Sequence, residues 1–294
     1  MTKMNQKIRK VVIPAAGWGT RSLPASKVVP KELLPIVDKP AIQYIVEEAI
    51  AAGVEEIIFV ISKGKEEIVN HFRPLPELEA VLRKKGDANS LRLITELNEK
   101  VRYTVVYQDK PLGLGHAVLC AREAVGDEWF FVFLPDDLID HEVPCAVQML
   151  RSWETHQGAT VAVMEVPWEE VSQYGVVKAL PMSAGLGKVE SVIEKPKREE
   201  APSNLAIVGR YLLPPTIFNL LEAVKPGAIG EIQLTDALLG LAKQEGLYAF
   251  QFEGERFDVG DRLGFVEANI NFSLKYPHLK DKIKELIKLL AESR

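Results

Sequence analysis

The chain has little cysteine and no long apolar segment. Its two cysteines, Cys120 and Cys145, lie in apolar stretches with helical spacing, outside any C-x-x-C or other metal-ligand spacing. We therefore expect two buried thiols in a reducing compartment. No stretch approaches the ~18 uninterrupted apolar residues of a membrane span, and the run VVIPAA after the polar N-terminus is too short for a signal sequence. These absences predict a cytoplasmic protein that does not bind membranes.

An excess of basic charge is also lacking. The formal net charge is −5, whereas proteins that bind nucleic acids present a basic surface to the phosphate backbone. We therefore expect no nucleic-acid partner, although a small phosphorylated ligand needs only a local group of cations. The hydrophobic fraction of 47% over 294 residues is typical of a globular protein with one large or two small domains.

The first half of the chain alternates between buried strands and helices. Short apolar runs predict strands at 11–16, 57–61, 103–107 and 129–134. Helical spacing of apolar residues predicts helices at 42–52, 66–72 and 116–124, with a longer helical pattern from about 78 that breaks near 86. This alternation predicts an α/β fold of the Rossmann-like type, with a mixed, mainly parallel sheet flanked by helices.

The second half is less regular. The patterns predict helices at 145–155, at 216–223 and after Glu231, and strands at 160–166, 175–180, 188–193 and 206–213, with a PMSAGLG turn between the second and third strands. An amphipathic C-terminal stripe indicates a docking or subunit-contact helix rather than a membrane binder, and it is formed by Leu279, Ile283, Leu286, Ile287 and Leu290. With no repeat or linker-like tract, we expect a single domain over residues 1–294.

A glycine loop, AAGWGTRSLPASKVVPKELLP, follows the first strand. Gly17 and Gly19 allow backbone N–H groups to approach a phosphate at the carboxyl end of the strand. The dinucleotide fingerprint is excluded because Ser22 stands at its third glycine position, and because Ser62 ends the second strand where the ribose-binding acid is needed. The P-loop is excluded because the residues after Gly19 do not supply its G-K-[ST] ending.

Three cations, Arg21, Lys27 and Lys31, follow the glycines in a loop that contains four prolines. Proline restricts φ and lowers the entropy of the unfolded loop, so these cations are held in place. A triphosphate carries roughly four negative charges, and fixed cations can bind its terminal part. A surface turn with solvated Arg and Lys is the alternative interpretation.

The string G-x-G-T-R followed by PKELLP resembles the signature of the sugar-1-phosphate nucleotidyltransferases. Together with GLGHAVLCA, YGVV, EKP, APSNLAIVGRYLL and GEIQLTDAL, it is similar to the bacterial UTP–glucose-1-phosphate uridylyltransferases over nearly the full chain. Trp18, Ser22 and Asp137 depart from the common family spellings without removing a charge that the chemistry requires. The resemblance implies the nucleotide-diphospho-sugar transferase type of fold, with a nucleotide-binding half at about 1–140, a sugar-phosphate-binding half at about 141–265 and a helical tail at about 266–294.

The resemblance also implies an activity and a nucleotide site. The expected reaction is Mg²⁺-dependent transfer of a uridylyl group from UTP to glucose-1-phosphate, giving UDP-glucose and pyrophosphate, by a homodimer or homotetramer. Gln108 offers an amide donor and acceptor to the uracil edge, although it could simply be a polar residue that ends a strand. The expected nucleotide-binding residues are Ala15, Ala16, Gly17, Gly19, Thr20, Gln108 and Gly113.

Two acids follow the strand FFVFL. Asp136 and Asp137 are adjacent, so normally only one of them faces a ligand, and carboxylate oxygens there suit Mg²⁺. The resemblance assigns Asp136 to the metal and Asp137 to the sugar, and Asp258 of FDVGD matches an aspartate that completes the metal site in relatives. Acids that merely begin a turn are the alternative for each of these positions.

The sugar-phosphate side is predicted at Gly175, Glu194 and Lys195. Glu194 can accept hydrogen bonds from sugar hydroxyls, Gly175 permits close approach of the ring, and Lys195 is a point charge for the phosphate. A surface turn is the alternative interpretation of E-K-P. His116 is interpreted as a residue at a helix start rather than as a catalyst.

The expected chemistry needs no general base. A phosphate monoester has its second pKa near ~6 and is mostly dianionic at neutral pH, so Arg21 and Lys31 need only hold the leaving pyrophosphate while Lys195 holds the attacking phosphate. Transfer from dTTP or to another sugar-1-phosphate is the nearest alternative. A non-catalytic subunit that binds sugar nucleotides is a second one, and a nicotinamide dehydrogenase is disfavoured by Ser22 and the missing acid.

Overall fold

The structure is a computed structural model that describes residues 7–183, 185–227 and 230–292. Three predicted features lie partly outside the described residues. They are the polar N-terminus at residues 1–6, the PMSAGLG turn at Ala184 and the tail at its last two residues. The strands are β1 Lys10–Pro14, β2 Pro35–Ile36, β3 Lys39–Pro40, β4 Glu56–Ile61, β5 Arg102–Tyr107, β6 Phe130–Phe133, β7 Asp137–Asp140, β8 Ala159–Glu165, β9 Gly175–Ser183, β10 Leu186–Glu194, β11 Leu205–Leu213, β12 Leu247–Gln251 and β13 Glu255–Asp258. The helices are α1 Ala41–Ala51, α2 Glu67–Asn70, α3 Pro76–Lys85, α4 Ala88–Thr95, α5 Leu114–Cys120, α6 Arg122–Val125, α7 Cys145–His156, α8 Ile217–Ala223, α9 Leu234–Gln244, α10 Arg262–Ser273 and α11 Pro277–Glu292.

A nine-stranded sheet has the order β5-β4-β1-β6-β11-β8-β12-β10-β9. Strands β5, β4, β1 and β6 pair in parallel, as do β8 and β12, whereas β11 and β10 run antiparallel to their neighbours. The predicted mixed, mainly parallel α/β sheet is therefore confirmed. Strands from both predicted halves join this one sheet, and the division into halves stays a prediction.

Helices cover both faces of the sheet, and β1 shows why. Val11 and Ile13 belong to one hydrophobic cluster with α1 and α7, while Val12 belongs to the other cluster with α5, α8 and α9. Successive strand residues point to opposite faces, so a strand that is apolar at every position requires a core on each side. Because β1, β4, β5 and β6 pair in parallel, their carboxyl ends lie at the same end of the sheet.

The structure corrects the sequence interpretation at several elements. Strands β7, β12 and β13 were not predicted, helix α10 begins before the helical tail predicted at about 266–294, and the predicted helix at 116–124 is divided into α5 and α6 at Ala121. Cys145 is buried, as expected, but Cys120 is only partly buried. The small sheet of β7 and β13 matters most for function, because its register places Asp137 opposite Asp258.

The C-terminal segment forms α11, as predicted. Its residues Leu286 and Ile287 are 50% and 41% exposed, and a subunit contact through this stripe stays a prediction. Within the described ranges, no helix is both long and apolar enough to cross a membrane.

Candidate active site

The glycine loop begins directly after β1. The N–H of Ala15 continues the parallel ladder by donating to Val60 O at 2.7 Å. Gly19 has φ +65°, and a Cβ built there would lie 3.2 Å from the Ser26 Cβ atom. The position therefore favours glycine on both conformational and steric grounds. The expected nucleotide-binding residues at 15–20 lie in this one loop.

Two of the three loop cations, Arg21 and Lys31, contact acids at this end of the sheet, whereas Lys27 is exposed. Lys31 Nζ lies 2.5 Å from Asp136 Oδ2, and the Arg21 guanidinium lies 3.5 Å from the same oxygen and 3.5 Å from Asp258 Oδ2. A Cβ built on Gly260 would lie 2.9 Å from Asp136 Oδ2 and 3.0 Å from both Arg21 and Asp258 Oδ1. Three predicted residues from distant parts of the sequence therefore lie around one glycine, and Lys31 joins them through Asp136.

The two adjacent acids have opposite pKa shifts. Burial alone raises the pKa of Asp136, but Lys31 and Arg21 outweigh it, so the pKa of this carboxyl lies below its ordinary value. Burial raises the pKa of Asp137, and Arg256 only partly offsets it because Asp136 and Asp258 add to the shift. The two cations therefore favour the ionised form of Asp136.

Arg256 is a site residue that the sequence interpretation missed. Its Nε lies 2.5 Å from Asp137 Oδ1, its second guanidinium nitrogen donates to Tyr174 Oη at 3.0 Å, and the third lies 3.5 Å from Asp258 Oδ2. Its spacing from Asp258 could have indicated it. Residues two apart in a strand share a face, and Arg256 precedes Asp258 by two. Asp137 also accepts a hydrogen bond from the Gly209 N–H at 3.2 Å. Its contact with the sugar stays a prediction.

Gln108 and Gly113 lie together at the end of β5. The Gln108 Nε2 group lies 3.1 Å from Gly113 O and 2.9 Å from His116 Nδ1. Gly113 has φ +95°, and a Cβ there would lie 2.9 Å from Ile232 O. Ile232 N–H also donates to Leu112 O at 2.7 Å. The segment GEIQLTD, which was left out of the predicted site, therefore packs directly on the Gln108–Gly113 loop.

The predicted sugar-phosphate residues also lie together. Glu194 at the end of β10 pairs with Gly175 at the start of β9, and a Cβ on Gly175 would lie 3.2 Å from Glu194 Oε2 and 2.8 Å from Thr235 Cγ2. Thr235 Oγ1 donates to that carboxylate oxygen at 3.1 Å. Burial raises the pKa of Glu194, and Lys195 only partly offsets the shift.

The backbone of Lys195 is fixed by a hydrogen bond, whereas its side chain is exposed. Its φ of 45° is unusual for a residue with a Cβ, and its N–H donates to Tyr174 O at 2.9 Å. The side chain is 62% exposed, with Nζ 3.8 Å from Glu194 Oε1. Through Tyr174 and Arg256, a continuous series of contacts joins Lys195 to Asp258 and Arg21.

Residues 10–273 match the family model described as nucleotidyl transferase. The chain belongs to this family. It is 48% identical over 289 residues to the UTP–glucose-1-phosphate uridylyltransferase of Streptococcus pneumoniae serotype 4, covering 97% of this chain and 96% of that protein. It is 45% identical over 278 residues to the enzyme of that name from Bacillus subtilis, covering 95% of each.

Two solved structures resemble this nucleotidyl transferase closely. The UTP-bound UGPase of Acinetobacter baumannii superposes with a TM-score of 0.88 at 41% identity, covering 95% of this chain and 98% of that one. A UDP-glucose pyrophosphorylase complexed with UDP-glucose superposes with a TM-score of 0.83 at 42% identity, covering 92% of this chain and 100% of that one.

Enzymes of the nucleotidyl transferase family generally use a divalent metal ion, and the donor set of this chain fits one. Asp136 Oδ2 and Asp258 Oδ2 each lie 3.5 Å from the Arg21 guanidinium, so two carboxylates face the same part of the site. Among the described residues, no group of three or more His, Cys, Asp and Glu is arranged to hold a metal. Such a site needs phosphate oxygens and waters to complete it.

Proposed function

We propose that the chain transfers the uridylyl group of UTP to glucose-1-phosphate, producing UDP-glucose and pyrophosphate with Mg²⁺ as the metal ion. The observation that carries the proposal is the convergence of Arg21, Lys31, Asp136 and Asp258 at the end of the glycine loop. The full-length similarity to relatives named UTP–glucose-1-phosphate uridylyltransferase supports the choice of substrates.

Arg21 and Lys31 bind the phosphates of UTP. In the structure each cation contacts Asp136, so a bound triphosphate would compete with that carboxylate for the same cations. Asp136 and Asp258 would hold Mg²⁺, which prefers one or two carboxylates together with phosphate oxygens. When bound, the ion supplies positive charge to neutralise the reacting phosphates.

Glu194 and Lys195 bind the acceptor. Glu194 accepts hydrogen bonds from sugar hydroxyls, and Gly175 allows its carboxylate to lie against the β9 backbone, because a Cβ there would lie 3.2 Å from Glu194 Oε2. The exposed Nζ of Lys195 binds the phosphate of glucose-1-phosphate.

No side chain has to remove a proton from the nucleophile. The attacking group is a phosphate oxygen that is mostly deprotonated at neutral pH, and the barrier is the mutual repulsion of two anions. Cations fixed on both sides of the cleft lower this barrier and align the attacking oxygen with the bond to pyrophosphate. Location in the cytoplasm and assembly into a homodimer or homotetramer stay predictions.

A substrate matrix tests the proposal. The purified chain is assayed with UTP, dTTP, CTP and ATP against the 1-phosphates of glucose, galactose and N-acetylglucosamine, and pyrophosphate release is measured with and without Mg²⁺. We expect the highest kcat/KM with UTP and glucose-1-phosphate, and activity only with a divalent ion. A preference for another pair, or no release from any pair, would refute it.

A further inference from the structure

The side-chain amide of Gln108 has only one orientation that its surroundings accept. The Gly113 carbonyl oxygen, 3.1 Å away, can only accept a hydrogen bond, so the amide must present its NH₂ group there. The opposite orientation would bring two acceptor oxygens together at a residue that is 7% exposed, and a buried unpaired acceptor is costly. The second hydrogen of the NH₂ group points to His116 Nδ1 at 2.9 Å.

This orientation also fixes the tautomer of His116. Nδ1 must offer a lone pair to the amide hydrogen, so the proton of the neutral ring is on Nε2. Burial lowers the pKa of His116, which favours the neutral ring. The Cys120 Sγ atom lies 3.8 Å from Nδ1 and 3.9 Å from Nε2, a position beside the ring rather than in line with either nitrogen.

With both amide hydrogens engaged, the Gln108 side chain offers only its oxygen. Across the part of the chain that the structure describes, no donor reaches Oε1, and this atom is not one of the buried polar atoms without a partner. The oxygen is therefore open to a ligand. Uracil and thymine carry a hydrogen on N3, whereas cytosine has a lone pair there, so a fixed acceptor pairs with the first two and repels the third.

We propose that His116 is a positioning residue that makes the site prefer uracil over cytosine by holding the Gln108 oxygen toward the base. The inference rests on the proposed function and on the predicted contact of Gln108 with the uracil edge. A site that hydrogen-bonds the edge of uracil discriminates against cytosine, because the polar group of the protein is left unpaired when cytosine binds.

Base selectivity tests this role. We expect His116→Leu to lower the UTP/CTP ratio of kcat/KM by ~10-fold or more, because the Gln108 NH₂ group then keeps only the Gly113 carbonyl of its two acceptors and the amide is held less firmly. The UTP/dTTP ratio should stay within about 2-fold, since both bases carry the same N3–H. His116→Asn should restore the UTP/CTP ratio, because its side-chain oxygen can accept in place of Nδ1. The matched control is Cys120→Ala, which removes the other side chain beside the ring and should keep the selectivity.

An unchanged UTP/CTP ratio in His116→Leu, or equal changes in both ratios, would overturn the inference. If that variant does not fold, ¹⁵N NMR of the wild-type imidazole decides, with His116→Asn used to assign the signal. A proton on Nε2 supports the proposed geometry and a proton on Nδ1 contradicts it. Failure of the proposed function gives a different result, because the wild type would then release no pyrophosphate from UTP.

Discussion

Lys65 and Glu32 form an ion pair beside the glycine loop, with Nζ 3.0 Å from Oε2. The same Nζ donates to Ala15 O at 2.8 Å and to Gly17 O at 2.7 Å. In a trans peptide the C=O and the following N–H point in opposite directions. Lys65 therefore turns the N–H groups that follow these two carbonyls away from itself, and the first of them belongs to Ala16, a predicted nucleotide-binding residue.

We expect Lys65→Met to raise the KM for UTP by ~10-fold or more, because the loop amides lose their fixed orientation. The KM for glucose-1-phosphate should change little, since none of its proposed ligands contacts Lys65. Steady-state kinetics with each substrate varied in turn measures both values. Lys63→Met is the matched control, because Lys63 lies two residues away with its side chain 82% exposed.

A double variant separates loop orientation from simple stability. Removing Lys65 leaves Glu32 buried without its partner, which typically costs roughly 3–5 kcal/mol. Glu32→Gln combined with Lys65→Met removes the buried charge and should recover much of the melting temperature, but it should not recover the UTP KM. Recovery of both would show that Lys65 acts only through stability.

Asp136 is the acid that we expect the metal to require. Asp136→Asn should abolish metal-dependent turnover while the circular dichroism spectrum stays unchanged, because the amide keeps the size and an acceptor oxygen for Lys31 but loses the anionic charge. Titration of activity with Mg²⁺ is the measurement, and unchanged metal dependence would contradict the assignment. Asp140→Asn, at the end of β7 remote from Asp136, removes an ion pair with Lys275 and serves as the control.

The sequence predicted those elements whose apolar pattern is strong. Val11, Val12 and Ile13 are apolar without interruption, and β1 lies within two residues of its predicted bounds. The apolar pattern did not predict helix α10, because the residues it buries include Gly264 and Ala268, which are too small to produce a clear apolar stripe. Strand β13 was missed because ERFD is mostly charged.

The buried ion pairs of the site could not be read from the sequence. Arg210 stands inside the apolar run of β11, and its guanidinium lies 2.8 Å from Glu48 Oε2 of α1 and donates to Asp137 O at 2.8 Å. This arginine is fully buried, and its partners come from distant parts of the chain. Local pattern identifies strands and loops, but it does not identify which charges meet across the sheet.

Lys195 should matter more for the acceptor than for the nucleotide. We expect Lys195→Ala to lower turnover or the affinity for glucose-1-phosphate by ~100-fold or more, by loss of the cation that faces the phosphate. Alanine carries a Cβ as lysine does, so the substitution leaves the backbone strain at this positive φ nearly unchanged. Lys197→Ala, two residues away and exposed, is the control, and near-wild-type kinetics in Lys195→Ala would remove the proposed role.

Glu194 should show a conflict between stability and function. Burial raises its pKa, so the folded state holds this proton more tightly than the unfolded state, and its contribution to stability falls as pH rises from the unfolded pKa through the folded one. Glu194→Gln should therefore raise the melting temperature near pH 7, and this increase over the wild type should become smaller as the pH approaches 4. The same substitution should weaken glucose-1-phosphate binding. Thermal unfolding of both proteins across this range, with calorimetric titration of the ligand, measures these effects. A gain that does not depend on pH would show that the ionised carboxylate is not the source of the instability.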